Sequence, residues 1–191
     1  MRLVLASSSP RRAELLSAAG FSFEILPVNL DEGSRPGETA EEYVARLAEA
    51  KAAAAGGPTP FPEVVLGADT TVVCDRRILG KPADAADAAR MLRLLAGRAH
   101  DVLTGICLLT GSRRLVHVER SRVRMSSMSD AEIAWYIASG EPMDKAGGYA
   151  AQGRASRFIE AIDGSYSNVV GLPVARVYAL LKELGCDILK A

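Results

Sequence analysis

Several features that mark particular classes of protein are scarce in this sequence of 191 residues. It has only two histidines and no HExxH motif, which argues against a zinc site. Its three cysteines, Cys74, Cys107 and Cys186, lie far apart and form no CxxC pair. We therefore expect small, buried, unpaired cysteine side chains in a protein of a reducing compartment.

The sequence also lacks net charge and long apolar runs. Basic and acidic residues number 23 each, whereas a sequence-independent nucleic-acid binder usually has a net basic footprint. No apolar run approaches the roughly 20 residues of a membrane-spanning helix. The run LVLA near the N-terminus is too short for the core of a signal peptide. We expect a cytoplasmic protein without a nucleic-acid or membrane partner.

What remains is the composition of an ordinary globular protein, with 49% hydrophobic and 24% charged residues. The length predicts one domain spanning residues 1–191. Strand-like and helix-like segments alternate along the chain, and residues 100–127 have the pattern of one long hairpin. This organisation predicts an α/β fold with a mixed sheet.

Helix starts are the clearest local signals. Thr39 with Glu42, and Ser129 with Glu132, form capping boxes, which predict helices ending near Ala55 and Gly140. The run 64–75 is either two short strands or one strand bent at Gly67. The remaining segments are a strand at 3–7, a strand at 21–27, a loop at 28–38, a loop at 56–62, a helix from Asp84 to Gly97, a strand at 157–164 and a helix at 173–185.

The stretch LVLASSSPRR joins an apolar strand to a helix through a turn rich in hydroxyl groups. Ser9 can cap that helix and Pro10 suits its first position. The free N–H groups of a helix start bind phosphate well, and Arg11 and Arg12 add bidentate donors. The other reading is an ordinary capped helix with exposed arginines. These residues alone leave the two readings open.

Asp69 follows an apolar run in VVLGADTTVV. A carboxylate at the end of a strand in an α/β sheet commonly faces the ligand, and a buried carboxylate needs a partner or a metal. Alternatively, Asp69 only caps a turn at Thr70 and Thr71.

Lys51 shares the i, i+3, i+7 register of the apolar residues Val44 and Leu47. Its side chain either extends to solvent at the helix end or points into a site that needs a cation. Considered alone, this position favours the solvent-exposed side chain. Lys81, in LGKP, has the context of a solvated turn. Glu32 is a surface acid or a ligand for a hard cation such as Mg²⁺.

Together these residues suit a metal-dependent reaction on a polyphosphate, because they combine cations and carboxylates with no obvious covalent nucleophile. The sequence also resembles the Maf family of nucleoside triphosphate pyrophosphatases over nearly its whole length. The resemblance rests on six motifs in order: LASSSPRRAELL, EYVARLAEAKA, GADTTVV, LGKP, DKAGGYAAQG and IDGSYSNVVGLP.

The resemblance implies a two-lobed α/β fold with a long mixed sheet and a nucleotide-binding cleft, and a homodimer. It implies hydrolysis between the α- and β-phosphates with a divalent cation, Mg²⁺ or Mn²⁺. Asp69 would activate water, and Glu32 and Asp69 would bind the metal. The substrate-binding residues would be Ser7, Ser9, Arg11, Arg12, Lys51, Thr70, Lys81 and Gln152.

The positions associated with substrate choice, Arg12, Thr70 and Gln152, match the branch of the family that prefers dTTP and UTP over 7-methyl-GTP. Modified pyrimidine nucleotides are a second candidate substrate class. An interpretation of another kind is a nucleotide-binding regulator of cell division whose hydrolysis is incidental.

Overall fold

The computed structural model describes residues 2–56, 63–111 and 113–186. The predicted loop at 56–62 lies outside these residues apart from Gly56. In chain order the elements are β1 (Arg2–Ala6), α1 (Pro10–Ala18), β2 (Phe23–Ile25), α2 (Ala40–Ala55), β3 (Glu63–Cys74), β4 (Arg77–Leu79), α3 (Ala85–Leu95), β5 (Ala99–Thr110), β6 (Arg113–Met125), α4 (Asp130–Ala138), β7 (Ile159–Asp163), α5 (Tyr166–Val170) and α6 (Val174–Glu183). Short 3-10 helices at Glu141–Asp144, Ala146–Gly148 and Arg154–Phe158 lie between α4 and β7.

The seven strands form one mixed sheet in the order β2-β1-β3-β5-β6-β7, with β4 paired to β3. β1 is parallel to both β2 and β3, whereas β4 and β7 are antiparallel to their neighbours β3 and β6. Strands β5 and β6 are neighbours in the sheet and are separated by two residues of chain, as a hairpin requires. The predicted α/β fold with a mixed sheet is confirmed.

The helix starts follow the sequence signals closely. Both capping boxes form: Thr39 accepts the N–H of Glu42 and Ser129 accepts that of Glu132, and each glutamate accepts in return. Asp84 caps α3 in the same way, through the N–H of Asp87. These local hydrogen bonds satisfy N–H groups that a helix start otherwise leaves unpaired. The sequence did not predict α5, which is only five residues long.

Residues 64–74 of the run 64–75 lie in one continuous strand, β3, so the alternative of two short strands is wrong. Among the cysteines, Cys74 and Cys107 are buried, Cys186 is partly buried, and all three are free thiols, as expected. Within the described residues, no helix combines the length and the apolar character that crossing a membrane requires.

The chain divides into two compact units, each with its own apolar core. The first comprises Met1–Asp69, Thr104–Glu119 and Gly171–Ala191, and the second comprises Thr70–Leu103 and Arg120–Val170. The core of the first unit includes Leu5, Leu16, Leu66, Ile106, Leu108 and Val177. The core of the second includes Val72, Leu92, Val102, Val123, Tyr136 and Phe158.

Helix α2 packs unusually close to the sheet of the first unit, at two glycines. A Cβ on Gly67 of β3 would lie 2.1 Å from the carbonyl oxygen of Ala48 in α2. A Cβ on Gly105 of β5 would lie 2.2 Å from the carbonyl oxygen of Val44. Real contacts of a Cβ are longer than 3.0 Å, so both positions require glycine for the helix to lie where it does.

Replacing Gly67 with alanine should therefore lower the free energy of unfolding by about 3 kcal/mol, the upper end for an overpacked interior. The added methyl group meets helix backbone, at Ala48 O and Ala52 N, which cannot move aside as a side-chain end can. Urea unfolding measures the effect. Gly80→Ala is the control, because a Cβ at Gly80 has no atom within 4 Å. Equal stabilities of the two variants would contradict the close packing of α2.

Candidate active site

A buried cluster of charges lies in the first unit, where Lys51 of α2 meets Asp69 of β3. The Lys51 Nζ is 2.6 Å from Asp69 Oδ1 and 2.5 Å from Glu32 Oε1. Lys51 and Asp69 are only 7% and 6% exposed, whereas the Glu32 side chain is 42% exposed. Burying charges in this way is unfavourable unless each has a partner, so the three groups depend on one another.

The electrostatics of Asp69 reflect two opposing influences. Burial raises the pKa of Asp69 above its ordinary value. The Lys51 ammonium, by its charge and its hydrogen bond, and the Arg12 guanidinium, by its charge, lower the pKa of Asp69 against that trend. A carboxylate held between these influences has the character of a proton acceptor.

Helix α2 also holds the loop that carries Glu32. The Tyr43 hydroxyl donates to the backbone carbonyl of Glu32 at 3.0 Å, and an Arg46 terminal nitrogen donates to that of Gly33 at 3.1 Å. Arg46 is itself fixed by Glu38 through two hydrogen bonds. Burial, followed by the charges of Asp69 and Glu32, raises the pKa of Tyr43 to about 12, so its hydroxyl stays a donor.

The turn between β1 and α1 is held by a buried arginine. Arg12, 8% exposed, donates from Nε to the carbonyl of Gly171 at 2.9 Å and from a terminal nitrogen to Ser7 Oγ at 3.0 Å. Burial lowers the pKa of Arg12, and the charge of Asp69 works in the opposite direction. Ser7 Oγ also accepts the N–H of Ser9 at 3.2 Å. This turn is therefore fixed in shape before any ligand binds.

The prediction that Ser9 caps α1 is only half right. Ser9 occupies the cap position and Pro10 is the first helical residue, but the Ser9 side chain makes no capping hydrogen bond. The first turn contains no acidic residue and has Arg11, which is partly buried, beside Arg12. The positive end of the helix dipole and the two arginines therefore lie together at the start of α1, an arrangement that suits an anion.

Three candidate residues belong to the second unit. Thr70 follows Asp69 in β3 and is partly buried. Lys81 is exposed in the segment between β4 and α3. Gln152 is exposed in the glycine-rich loop before the last 3-10 helix. Their roles as substrate-binding residues stay predictions.

Three interpretations of the sequence are wrong. Lys51 does not extend to solvent: its side chain is buried and its ammonium pairs with the Asp69 carboxylate. Asp69 does not cap a turn and does not end a strand, since β3 continues through Thr70 to Cys74. The register of Lys51 with Val44 and Leu47 is confirmed, as all three are buried.

The sequence reading missed Tyr43, Arg46 and Gly171. Tyr43 and Arg46 lie in the motif EYVARLAEAKA, one to two turns before Lys51, and that spacing was the available signal. Gly171 contributes only its backbone carbonyl to Arg12, 159 residues away in sequence, which no local pattern reveals.

The donor set at Lys51 is compatible with a hard divalent cation. Asp69 and Glu32 direct carboxylate oxygens to the same nitrogen atom, and oxygen ligands of this kind suit Mg²⁺. Among the described residues no group of three or more His, Cys, Asp or Glu side chains could hold a metal. A cation here would need further oxygen ligands from a bound molecule.

A family profile described as Maf-like protein matches residues 2–184 of the chain. This chain belongs to the Maf family. Among curated relatives, a protein of Koribacter versatilis (strain Ellin345) named dTTP/UTP pyrophosphatase is 50% identical over 185 residues, covering 97% of this chain and 95% of that protein. A protein of the same name from Hahella chejuensis (strain KCTC 2396) is 49% identical, covering 98% of this chain and 94% of that protein.

Solved structures with the same fold as this Maf chain are more distant in sequence. The Ham1 protein of Staphylococcus aureus has a TM-score of 0.52 at 13% identity, covering 96% of this chain and 100% of that chain. A HAM1 protein from Coxiella burnetii has a TM-score of 0.53 at 15% identity, covering 96% of this chain and 99% of that chain. At these identities the likeness concerns the fold.

In this Maf protein, replacing Lys51 with methionine should raise the pKa of Asp69 further. The substitution removes the charge and the hydrogen bond that oppose the effect of burial, so the neutral acid becomes more favourable. Carbon-13 NMR titration of the Asp69 carboxyl measures the change. Lys182→Met, at an exposed lysine of α6, is the control and should leave that titration unchanged. A lower or unaltered Asp69 pKa in Lys51→Met would refute the ion-pair assignment.

Proposed function

We propose that this Maf protein is a nucleoside triphosphate pyrophosphatase that hydrolyses dTTP and UTP to the nucleoside monophosphate and pyrophosphate. Curated relatives about 50% identical over nearly the whole chain carry the name dTTP/UTP pyrophosphatase. The main structural support for this reaction is the buried Lys51–Asp69 ion pair, which Glu32 also contacts. These three side chains together offer a proton acceptor, a cation and carboxylate oxygens that can bind a metal. The names of the relatives favour the enzyme over a regulator whose hydrolysis is incidental.

In the proposed mechanism, Asp69 takes a proton from water as the water oxygen attacks the α-phosphorus. The bond from the α-phosphorus to the bridging oxygen breaks, and pyrophosphate leaves with the electron pair. Lys51 engages Asp69 Oδ1, so Oδ2 is the oxygen that accepts the proton. The proton then passes to solvent, which returns Asp69 to its ionised form.

The phosphates would be held by the start of α1 with Arg11 and Arg12 on the fixed turn at Ser7 and Ser9, and by Lys51 and Lys81. Cationic groups and helix N–H donors stabilise charge that develops on a phosphate leaving group. Glu32 and Asp69 would hold the divalent cation, Mg²⁺ or Mn²⁺, together with phosphate oxygens. When bound, that cation supplies charge neutralisation for the triphosphate and for the departing pyrophosphate.

Pyrophosphate release from a panel of triphosphates tests the function directly. The wild type should act on dTTP and UTP in preference to purine triphosphates, and modified pyrimidine nucleotides belong in the same panel because they are the second candidate class. If no pyrophosphate is released from any triphosphate with Mg²⁺ or Mn²⁺, the proposed function is wrong.

Asp69→Asn should lower kcat by about 10²- to 10⁴-fold, the range for loss of a general base. The amide keeps the shape of the carboxyl group but is not a base at neutral pH. Asp163→Asn, at an exposed aspartate of β7, is the matched control and should retain wild-type turnover. Wild-type turnover by Asp69→Asn would show that another group activates the water.

Gln152→Ala should weaken discrimination between bases more than it slows turnover of the best substrate. The Gln152 amide offers one acceptor and a donor group, which suit the oxygen and N–H edge of thymine or uracil. The measurement is the ratio of kcat/KM for dTTP to kcat/KM for dATP, with dTTP turnover recorded separately. An unchanged ratio would count against Gln152 as the residue that reads the base.

A further inference from the structure

The loop that carries Gln152 is held at both of its ends by one pair of side chains. The backbone N–H of Ala150 donates to the Tyr136 hydroxyl oxygen at 3.1 Å. The backbone N–H of Arg154 donates to Glu141 Oε2 at 3.1 Å. The Tyr136 hydroxyl in turn donates to Glu141 Oε1 at 2.8 Å. Tyr136 and Glu141 therefore bracket the five residues centred on Gln152.

Each member of the pair is itself fixed. Tyr136 is fully buried in α4, in the core of the second unit. Burial, and then its hydrogen bond to Glu141, raises the pKa of Tyr136, so the hydroxyl keeps its proton and both donates and accepts. Glu141 is half-buried at the start of a 3-10 helix, and its two carboxylate oxygens serve two different donors.

Gly153 makes room for this arrangement. A Cβ on Gly153 would lie 2.3 Å from Glu141 Oε1 and 2.5 Å from its carboxyl carbon. The backbone at Gly153, with φ −100° and ψ −153°, is one that alanine can also adopt. A larger residue here would therefore displace the Glu141 carboxylate, although the backbone conformation would accept one. The loop sequence is matched to the position of Glu141.

Two further contacts hold the preceding part of the loop. The Tyr149 hydroxyl is 2.7 Å from His100 Nε2, and burial lowers the pKa of His100 to about 4, so that imidazole is neutral near pH 7. The N–H of Gly147 donates to the carbonyl of Gly80 at 3.0 Å, directly before Lys81. The Gln152 loop is thus anchored at several points within the second unit.

We propose that Tyr136 and Glu141 are positioning residues for base selection: they set the place of the Gln152 amide by holding Ala150 and Arg154 on either side of it. The inference rests on the proposed function, in which Gln152 reads the base. The pair acts through the loop backbone and has no role in the attack on phosphorus. Its loss should raise KM for the preferred nucleotides and leave kcat nearly unchanged.

A double-mutant cycle tests this role. Tyr136→Phe keeps the aromatic ring in the core and removes the hydroxyl, and Gly153→Ala pushes the flexible end of Glu141 away from its donors. Each should lower the ratio of kcat/KM for dTTP to kcat/KM for dATP roughly three- to tenfold, the size of one lost hydrogen bond. In a Gln152→Ala background, each should cause no further loss, because the effect passes through Gln152.

Amide hydrogen exchange gives a second reading that does not depend on activity. The N–H groups of Ala150 and Arg154 should exchange faster in Tyr136→Phe and Gly153→Ala than in the wild type. Tyr178→Phe is the matched control, since Tyr178 is an exposed tyrosine of α6 in the first unit, and it should change neither exchange nor selectivity. Thermal unfolding of each variant checks that the fold is retained.

The outcomes separate the two proposals. Unchanged selectivity, unchanged exchange at Ala150 and Arg154, or additive losses with Gln152→Ala would each overturn the role of Tyr136 and Glu141. A wild type that releases no pyrophosphate from any triphosphate would instead overturn the proposed function. In that case the exchange measurement alone still decides whether the pair holds the loop.

Discussion

The close approach of helix α2 to the sheet of the first unit is the constraint on which the candidate site depends. Only glycine at 67 and 105 lets the backbone of α2 lie against β3 and β5 at this distance. Lys51 is on the same helix, and its side chain reaches Asp69 two residues after Gly67. The packing of α2 at these two glycines therefore places the backbone of Lys51 close to Asp69.

That ion pair is a costly arrangement that the fold maintains for a reason other than stability. Buried ion pairs contribute little net stability, since the desolvation of two charges offsets their attraction. The neighbouring positions Ala48 and Ala52 of α2 are apolar and belong to a buried cluster with Val65 of β3. A basic group beside a carboxylate whose pKa burial raises is, however, what proton transfer near a polyanion requires. The proposed chemistry gives these residues a role that stability does not.

The sequence predicted the parts of the fold that depend on local interactions. Capping boxes at Thr39 and Ser129 are complete within four residues, so their helices start where the pattern placed them. The sequence left open whether β3 is one strand or two, because a glycine at position 67 is locally typical of a bend. The glycine is required instead by the backbone of α2, which lies about 20 residues earlier in the sequence and packs against it. The register of Lys51 alone favoured a solvent-exposed side chain for the same reason. Its register was visible, but the partner that keeps it from solvent is distant in sequence.

The candidate site was predicted as a set of residue types, and the structure adds how they are held. Arg12 is tied to Gly171 and Ser7, and Glu32 is presented by Tyr43 and Arg46, through contacts that composition and spacing do not encode. The roles assigned to Thr70, Lys81 and Gln152 still depend on the family resemblance.

Candidate residues in each of the two units are held by contacts within that unit, and this has a consequence for how specificity can change. Glu32, Lys51 and Asp69 depend on contacts within the first unit, whereas the Gln152 loop depends on Tyr136 and Glu141 within the second. Substitutions without shared partners usually have additive effects on free energy. Under the proposed function, base preference would then depend on residues other than those proposed for bond cleavage.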